Sequence, residues 1–333
     1  MKIAMYAVRD TEEPYIKAWE KQTGDVVKRI TEQLSPENVD QAADCEGLSI
    51  LQTEPLTDEG VYKKLHDFGI KEMSLRMVGY NALDLKLAKK YGLTVTNVPT
   101  YSPRAIAEMG VTQAMYLLRR IGEYRQRMRD DHDFTWNKDL ESNEIYNLTV
   151  GLIGTGNIGS ATAQIYKALG AHVIAYDPIY HVNDEPYLDF VDSPEEVLKS
   201  ADIVSLHTPL LPSTQGMIGE KQFKMMKKTA YLINVSRGGL VDTQALINAL
   251  KNHEIAGAGL DVLADETKFF THKVKADQVP TDYQELAAMP NVIVTPHVAF
   301  FTKTAVRNMV QMSLNDINRI NQGQKALYVV QQA

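Results

Sequence analysis

Cysteine is almost missing from this chain: Cys45 is the only one in 333 residues. No intramolecular disulfide can form, so folding does not depend on an oxidising compartment. A small buried hydrophobe is the expected role of that side chain. Long apolar runs are missing too. None approaches the roughly 20 residues that a membrane-spanning helix needs, and the apolar start is too short for a secretion signal. A basic excess is lacking: 35 Lys and Arg stand against 42 Asp and Glu, a formal net charge of −7. Nucleic acid and anionic membranes both reward basic patches, so neither is expected as a partner. An anionic small molecule remains open, since one well-placed arginine can hold it. No H-x-x-x-H and no cysteine cluster occurs, and Asp130-Asp131-His132-Asp133 reads as a solvated helix end, so no metal site is expected. No G-x-S-x-G elbow suggests hydrolase chemistry. The expectation is a soluble, cytoplasmic protein.

What is present is ordinary globular material, 44% hydrophobic and 23% charged. At this length a single core becomes awkward and two domains are the default. Short apolar runs alternate with amphipathic stretches, the rhythm of parallel strands and crossover helices. In the first part, strands are expected at 2–8, 48–53, 73–78 and 94–98, with helices at 10–22 and 84–91. Pro99, Ser102 and Pro103 then form a breaker cluster. Ser102 is a fair N-cap with Pro103 at the first helical position. One long helix is expected from there toward Arg129, dense in arginine in its later part, either a solvated face or a partner-facing one. Further strands are expected at 149–153, 172–176, 203–206, 231–235, 256–260 and 292–295, six in a doubly wound sheet. A last helix is expected over 303–322. The stretch 265–290 is long for a loop, which signals a functional excursion or added local structure.

The most informative segment is Gly154-Thr155-Gly156-Asn157-Ile158-Gly159. It follows an apolar strand and opens a helix, the context in which G-x-G-x-x-G binds a dinucleotide. The first glycine permits the tight turn, the second lets backbone approach a pyrophosphate, and the third lets helix and strand pack closely. The helix N-terminus adds unpaired N–H groups and a positive dipole end. The next strand ends at Asp177, where the motif expects a carboxylate for the ribose diol. No arginine follows to hold a 2′-phosphate, so NAD is favoured over NADP.

Ligands of open parallel sheets bind beyond the carboxyl ends of the strands. The second-half strands end at Gly154, Asp177, His207-Thr208-Pro209, Asn234-Val235-Ser236-Arg237-Gly238-Gly239, Asp261 and Thr295-Pro296-His297. Arg237, between a strand and a Gly-Gly turn, suits bidentate binding of a carboxylate. His297 can give and take a proton near neutral pH. Glu266, five residues past Asp261, could orient a histidine as acids do in triads.

Those motifs, with Asn97-Val98-Pro99-Thr100-Tyr101-Ser102-Pro103, make the chain resemble the D-isomer-specific 2-hydroxyacid dehydrogenases over essentially its whole length, in their bacterial D-lactate and D-2-hydroxyisocaproate branch. The resemblance implies two doubly wound α/β parallel-sheet domains. A Rossmann NAD-binding domain, 101–298, is inserted into a flavodoxin-like substrate domain, 1–100 and 299–333. It implies Arg237, Glu266 and His297 as the catalytic set: Arg237 binding the substrate carboxylate, His297 acting as acid and base, and Glu266 raising its pKa. It implies NAD on Gly154, Gly156, Asn157, Ile158, Gly159, Asp177, His207, Thr208, Pro209, Thr214, Val235, Ser236, Arg237 and Asp261. Val78, Gly79, Tyr101 and Phe301 join Arg237 and His297 around a small 2-oxo or 2-hydroxy acid. A homodimer is implied, with the charged helix after Pro103 as an interface element.

There is one departure. The lactate branch commonly carries a tyrosine in the segment matching Leu51-Gln52-Thr53-Glu54-Pro55, and no aromatic residue stands there. An aliphatic wall leaves room for longer side chains, so both D-lactate dehydrogenase and a D-2-hydroxyisocaproate-type enzyme are carried forward. Two other classes compete. A non-catalytic NADH-sensing corepressor predicts an eroded Arg, Glu and His set. An S-adenosylmethionine-dependent transferase has no need for His297 with Arg237.

Overall fold

The computed structural model describes residues 1–270 and 273–330. The chain divides into two compact units, one of residues 1–102 with 301–333 and one of Pro103–Phe300.

The first unit is laid down as β1 (Lys2–Met5), α1 (Glu13–Thr23), β2 (Val26–Arg29), β3 (Gly47–Ile50), α2 (Glu59–Asp67), β4 (Glu72–Leu75), α3 (Leu85–Lys90) and β5 (Thr94–Thr96). Its sheet is parallel, in the order β2-β1-β3-β4-β5, the flavodoxin-like order. β3 and β4 are buried along their whole length, as expected for strands covered on both faces. Asp58 and Asp84 cap α2 and α3 by accepting from backbone N–H groups of the first turn, which satisfies donors a helix start leaves open. The expected pattern lacked β2 and α2. β2 has only two apolar residues, and Val26 is exposed on the sheet edge, so no periodicity marks it.

The second unit continues with α4 (Pro103–Leu118), α5 (Ile121–Asp130), β6 (Thr149–Ile153), α6 (Asn157–Ala168), β7 (His172–Tyr176), β8 (Asp189–Phe190), α7 (Pro194–Ser200), β9 (Ile203–Leu206), α8 (Glu220–Phe223), β10 (Tyr231–Asn234), α9 (Thr243–Lys251), β11 (Gly257–Leu260), α10 (Thr281–Ala288) and β12 (Val292–Val294). The sheet order is β12-β11-β10-β9-β6-β7-β8. It reverses between β6 and β9, the switch point of a doubly wound fold, beside which ligands bind. Seven strands replace the six expected; β8 is two residues long and pairs only at Ile174–Asp189 and Ala175–Phe190. The single long helix expected after Pro103 is two. Arg120 adopts φ 50°, a left-handed conformation, between α4 and α5. A Cβ on Gly122 would lie 2.1 Å from the Pro290 carbonyl oxygen, so the break sets a glycine against that carbonyl. The stretch 265–290 is not a bare loop: it holds short turns at Glu266–Lys268 and Ala276–Gln278 and all of α10. Thr271 and His272, part of that stretch, lie outside the described residues, as do residues 331–333.

The chain then returns to the first unit as α11 (Lys303–Asn321). Val310, Leu314 and Ile317 of α11 form one apolar cluster with Ile3, Met5, Ile16, Trp19 and Val27. Removing one such buried aliphatic side chain costs about 2–5 kcal/mol. Trp19 donates to Asn315 Oδ1 at 2.8 Å, and Ser49 and Ser313 hydroxyls meet at 2.7 Å. Gly47 is required here, because a Cβ would sit 2.3 Å from Ile317. Polar groups lie beside this core. Arg76 is fully buried against Glu12 (Nε to Oε1 2.9 Å) and donates to the Tyr6 carbonyl at 2.8 Å, which meets the rule that a buried charge needs a partner and filled hydrogen bonds.

Glu72, also buried, accepts from the Thr96 hydroxyl. Burial, with Asp316 nearby, pushes its carboxyl up to about 8, against the pull of that hydroxyl. Below its ordinary value of 4.5 the side chain is protonated in folded and unfolded chains alike. As pH rises the unfolded chain ionises first, so stability falls and the loss is complete once pH passes the folded value. Glu72→Gln is therefore expected to melt higher than the parent at pH 8, with the advantage vanishing toward pH 4.5. Parallel melting curves across that range check this; an advantage independent of pH would contradict it.

Candidate active site

The glycine loop joins β6 to α6. Gly154 has φ 98°, and a Cβ there would lie 2.7 Å from the His207 carbonyl oxygen. A Cβ on Gly159 would lie 2.2 Å from the Gly154 carbonyl oxygen. Packing within the protein thus demands these two glycines. Gly156 differs, for a Cβ there meets nothing within 4 Å. What a side chain at Gly156 would take is open space at the N-terminus of a 12-residue helix whose N-cap has no side-chain bond. That space, with the amides of Asn157, Ile158 and Gly159 unpaired among the described residues, fits a dinucleotide pyrophosphate.

Asp177, at the end of β7, accepts from Thr155 N at 2.7 Å and Ile179 N at 2.8 Å. The carboxylate is thereby locked onto the glycine loop, with lone pairs left for a diol. His207, at the end of β9, shares a hydrogen bond with Ser205 Oγ at 3.0 Å, while its buried Nδ1 has no partner among the described residues. Burial pushes its pKa down to about 4, so the ring is neutral at physiological pH. Thr214 closes the turn after it by donating to the Pro209 carbonyl at 2.7 Å. Ser236 Oγ donates to the Thr208 carbonyl at 2.6 Å, which ties the ends of β9 and β10 together. Val235 points elsewhere: its side chain is buried and faces Gly110 of α4, so only its backbone can serve a ligand.

Arg237 follows on an extended backbone, exposed, with one guanidinium N–H bonded to the Ser236 carbonyl at 2.8 Å. Asn234, buried, spans this turn: Nδ2 donates to the Arg237 carbonyl at 2.9 Å and Oδ1 accepts from Ser236 N at 3.1 Å. A Cβ on Gly238 would overlap the Leu263 backbone at 2.0 Å, so the arginine turn lies directly on the segment leading to Glu266. Glu266 Oε2 accepts from Leu263 N at 2.7 Å, and its Oε1 meets His297 Nδ1 at 2.5 Å. The pair anticipated from the sequence is therefore in contact.

His297 adopts φ 54°, an uncommon conformation for a non-glycine residue. Its amide donates to the Asp261 carbonyl at 2.8 Å. Asp261, 1% exposed, uses its carboxylate on the same turn, accepting from Thr295 Oγ1 at 2.5 Å, Val298 N at 3.0 Å and Ala299 N at 2.9 Å. Burial raises its pKa and these donors oppose the rise. Gln113 of α4 donates to Thr295 Oγ1 at 3.0 Å. Neither Gln113 nor Asn234 had been singled out. Asn234 stood inside a recognised motif, but Gln113 is 182 residues from its partner and carries no local signal.

Val78, Gly79, Tyr101 and Phe301 belong to the first unit. Val78 and Gly79 form the turn after β4, and Tyr101 and Phe301 flank the two crossings of the chain between units. Asn308 Nδ2 donates to the Tyr101 carbonyl at 2.7 Å.

Known proteins resemble this chain over nearly its whole length. Residues 111–299 match the model of the D-isomer specific 2-hydroxyacid dehydrogenase NAD binding domain. The chain is 42% identical over 317 residues to the D-lactate dehydrogenase of Lactiplantibacillus plantarum, covering 95% of each. Its fold superposes on a crystal structure of D-lactate dehydrogenase with NAD+ from Lactobacillus jensenii with a TM-score of 0.95, at 59% identity, covering 99% of this chain and 100% of that one. D-2-hydroxyisocaproate dehydrogenase gives a TM-score of 0.93 at 37% identity, with 99% of each covered. The chain belongs to the D-isomer-specific 2-hydroxyacid dehydrogenase family, and its cofactor is NAD.

The glycines separate stability from binding. Gly159→Ala is expected to lower the melting temperature, because the Gly154 carbonyl must move. Gly156→Ala should melt like the parent but bind NADH at least about tenfold more weakly, since backbone contact with phosphate is lost. Melting curves and NADH fluorescence titrations check both; a Gly156→Ala protein with parental affinity would contradict the assignment.

Proposed function

We propose that the protein is an NAD-dependent D-lactate dehydrogenase, reducing pyruvate to D-lactate and running reversibly. The observation that carries this is the His297–Glu266 contact at 2.5 Å, beside the arginine turn, in a family whose described relatives include D-lactate dehydrogenases. A corepressor has no use for an intact pair of this kind.

NADH, when bound, supplies the hydride that goes to C2 of the oxo acid. Arg237 holds the carboxylate through two parallel N–H bonds, which suit its planar guanidinium. Val78 and Gly79 are assigned to substrate contact through their backbone amides. With Nδ1 turned to Glu266, Nε2 of His297 is the ring nitrogen left to serve substrate. It gives its proton to the oxo oxygen during reduction and takes it back from the hydroxyl during oxidation. Glu266 holds the ring in one orientation, and Asp261 holds the turn that carries it. Asp177 receives the ribose diol of the cofactor.

We assign the middle of the chain, expected at 101–298 and folded as the compact unit Pro103–Phe300, to the NAD-binding domain and the two chain ends to the substrate domain. Homodimer formation, with the charged helix α5 as an interface element, is part of the same reading. It draws support from Phe134 and Trp136, 77% and 87% exposed, on a chain where few large apolar groups are so open. A cytoplasmic location belongs to the same proposal; no helix among the described residues is long and apolar enough to cross a membrane. Leu51 and Gln52 are buried and no aromatic residue stands between 51 and 55, so 2-oxoisocaproate is a second candidate substrate.

NADH oxidation followed with pyruvate, 2-oxoisocaproate and phenylpyruvate, with chiral resolution of the products, tests the assignment. D-lactate formed in step with NADH loss is expected. L-lactate, or no turnover of pyruvate, would overturn it. Arg237→Ala should raise the KM for pyruvate about 10- to 100-fold, the scale of a charge-assisted pair. His297→Gln should cut kcat by about 10²–10⁴ while NADH affinity stays put. An unchanged kcat would remove His297 from the reaction.

A further inference from the structure

The sheet of the first unit is parallel through β1–β5, yet its outer edge carries an antiparallel addition. Beyond α11 the chain turns back, and Val329 bridges Thr96 in antiparallel sense. Val330 N donates to the Val95 carbonyl at 2.9 Å and Asn97 N to the Tyr328 carbonyl at 3.1 Å. A buried acid clips this returning segment. Asp316 on α11, 2% exposed, accepts from Leu327 N at 2.8 Å and Tyr328 N at 3.3 Å. Burying a carboxylate is costly unless it is hydrogen-bonded. Filling the core does not account for it, because Leu327 and Val329 remain 60% and 51% exposed and only Val330 is buried.

The line of bonds runs on past the sheet edge. Asn97 sends Nδ2 to the Val78 carbonyl at 2.7 Å. Its neighbour Val98 donates its amide to the Met77 carbonyl at 3.1 Å. Two successive carbonyls, of Met77 and Val78, are thus held by consecutive residues, 98 and 97. A trans peptide is planar, with its C=O and N–H pointing opposite ways. Fixing the Met77 carbonyl therefore aims the Val78 amide, and fixing the Val78 carbonyl aims the Gly79 amide, each away from residues 97 and 98. Neither amide has a hydrogen-bond partner among the described residues.

We propose that Asn97 is a positioning residue for oxo-acid binding, and that Asp316 with residues 327–330 is its anchor. The returning segment fixes Asn97, Asn97 fixes the Val78 carbonyl, and the two amides are presented ready-oriented to the substrate. This rests on the reading of Val78 and Gly79 as substrate contacts given above. An oriented donor that binds substrate and transition state alike acts on KM and leaves kcat alone.

The test is steady-state kinetics on the full-length protein, with NADH affinity and melting temperature measured alongside. Asn97→Ala is expected to raise the KM for pyruvate about three- to tenfold, the scale of one net hydrogen bond, with kcat within about twofold of the parent and NADH affinity unchanged. Asn97→Asp should raise KM further, since an acceptor then faces the Val78 carbonyl. Asp316→Asn should move KM the same way by a smaller factor. Parental KM in both Asn97 variants would overturn the proposal, as would a joint loss of kcat and NADH affinity, which marks a loosened fold. Should the Asn97 variants not fold, an unchanged KM in Asp316→Asn overturns it and a raised one supports it. A parent protein that turns over no oxo acid would instead refute the reading of the Val78–Gly79 turn itself.

Discussion

Asp261 is the residue on which the candidate site depends. A carboxylate removed from water must be repaid in hydrogen bonds, and this one takes Thr295, Val298 and Ala299 as donors while its own carbonyl accepts from His297. Those bonds wrap the chain after Pro296 into a tight turn and hold His297 at φ 54°. Strain of this kind costs on the order of 1–3 kcal/mol and persists only where surroundings over-determine it. The result is that the imidazole meets Glu266 through Nδ1 and leaves Nε2 for the proton transfer proposed above. Asp261 shapes the site through the turn it holds.

The rest of the architecture brings other groups to the same carboxyl edge of the seven-stranded sheet. The β6–β9 switch point leaves room for the glycine loop, and Gly154 and Gly159 are fixed by close approach of backbone. Asn234 and Gly238 settle the Arg237 turn against the segment that carries Glu266. Neutral His207 at the switch point contrasts with His297: one ring is desolvated and pushed down to about 4, the other is paired with a carboxylate. Two histidines at strand ends thus have different environments.

How much of this could be read in advance follows from what leaves a local trace. β6, β7 and β9 stand where their apolar runs put them, because buried parallel strands read as continuous hydrophobic segments. β2 and β8 left no run, being short edge strands. The break at Arg120 escaped because the contact it accommodates, Gly122 against the Pro290 carbonyl, lies far away in sequence. Glycines, Asp177, Arg237 and His297 were legible from their places at strand ends. Glu266 alone would have passed for a loop acid; the family pattern, not its spacing, singled it out. Gln113, Asn234, the clip at Asp316 and the work of Asn97 were hidden, since each acts on backbone or side chains brought close only by folding.

The measurement that reaches the centre of this account is single-turnover hydride transfer in Asp261→Asn, monitored by NADH absorbance at saturating pyruvate. An amide presents donors where Val298, Ala299 and Thr295 need acceptors, so the turn should relax and His297 should lose its alignment. The account predicts transfer slowed at least about a hundredfold, the scale of a lost and misplaced proton donor, with NADH affinity close to that of the parent. Transfer at the parental rate would contradict it, and would show that His297 does not need the Asp261 turn.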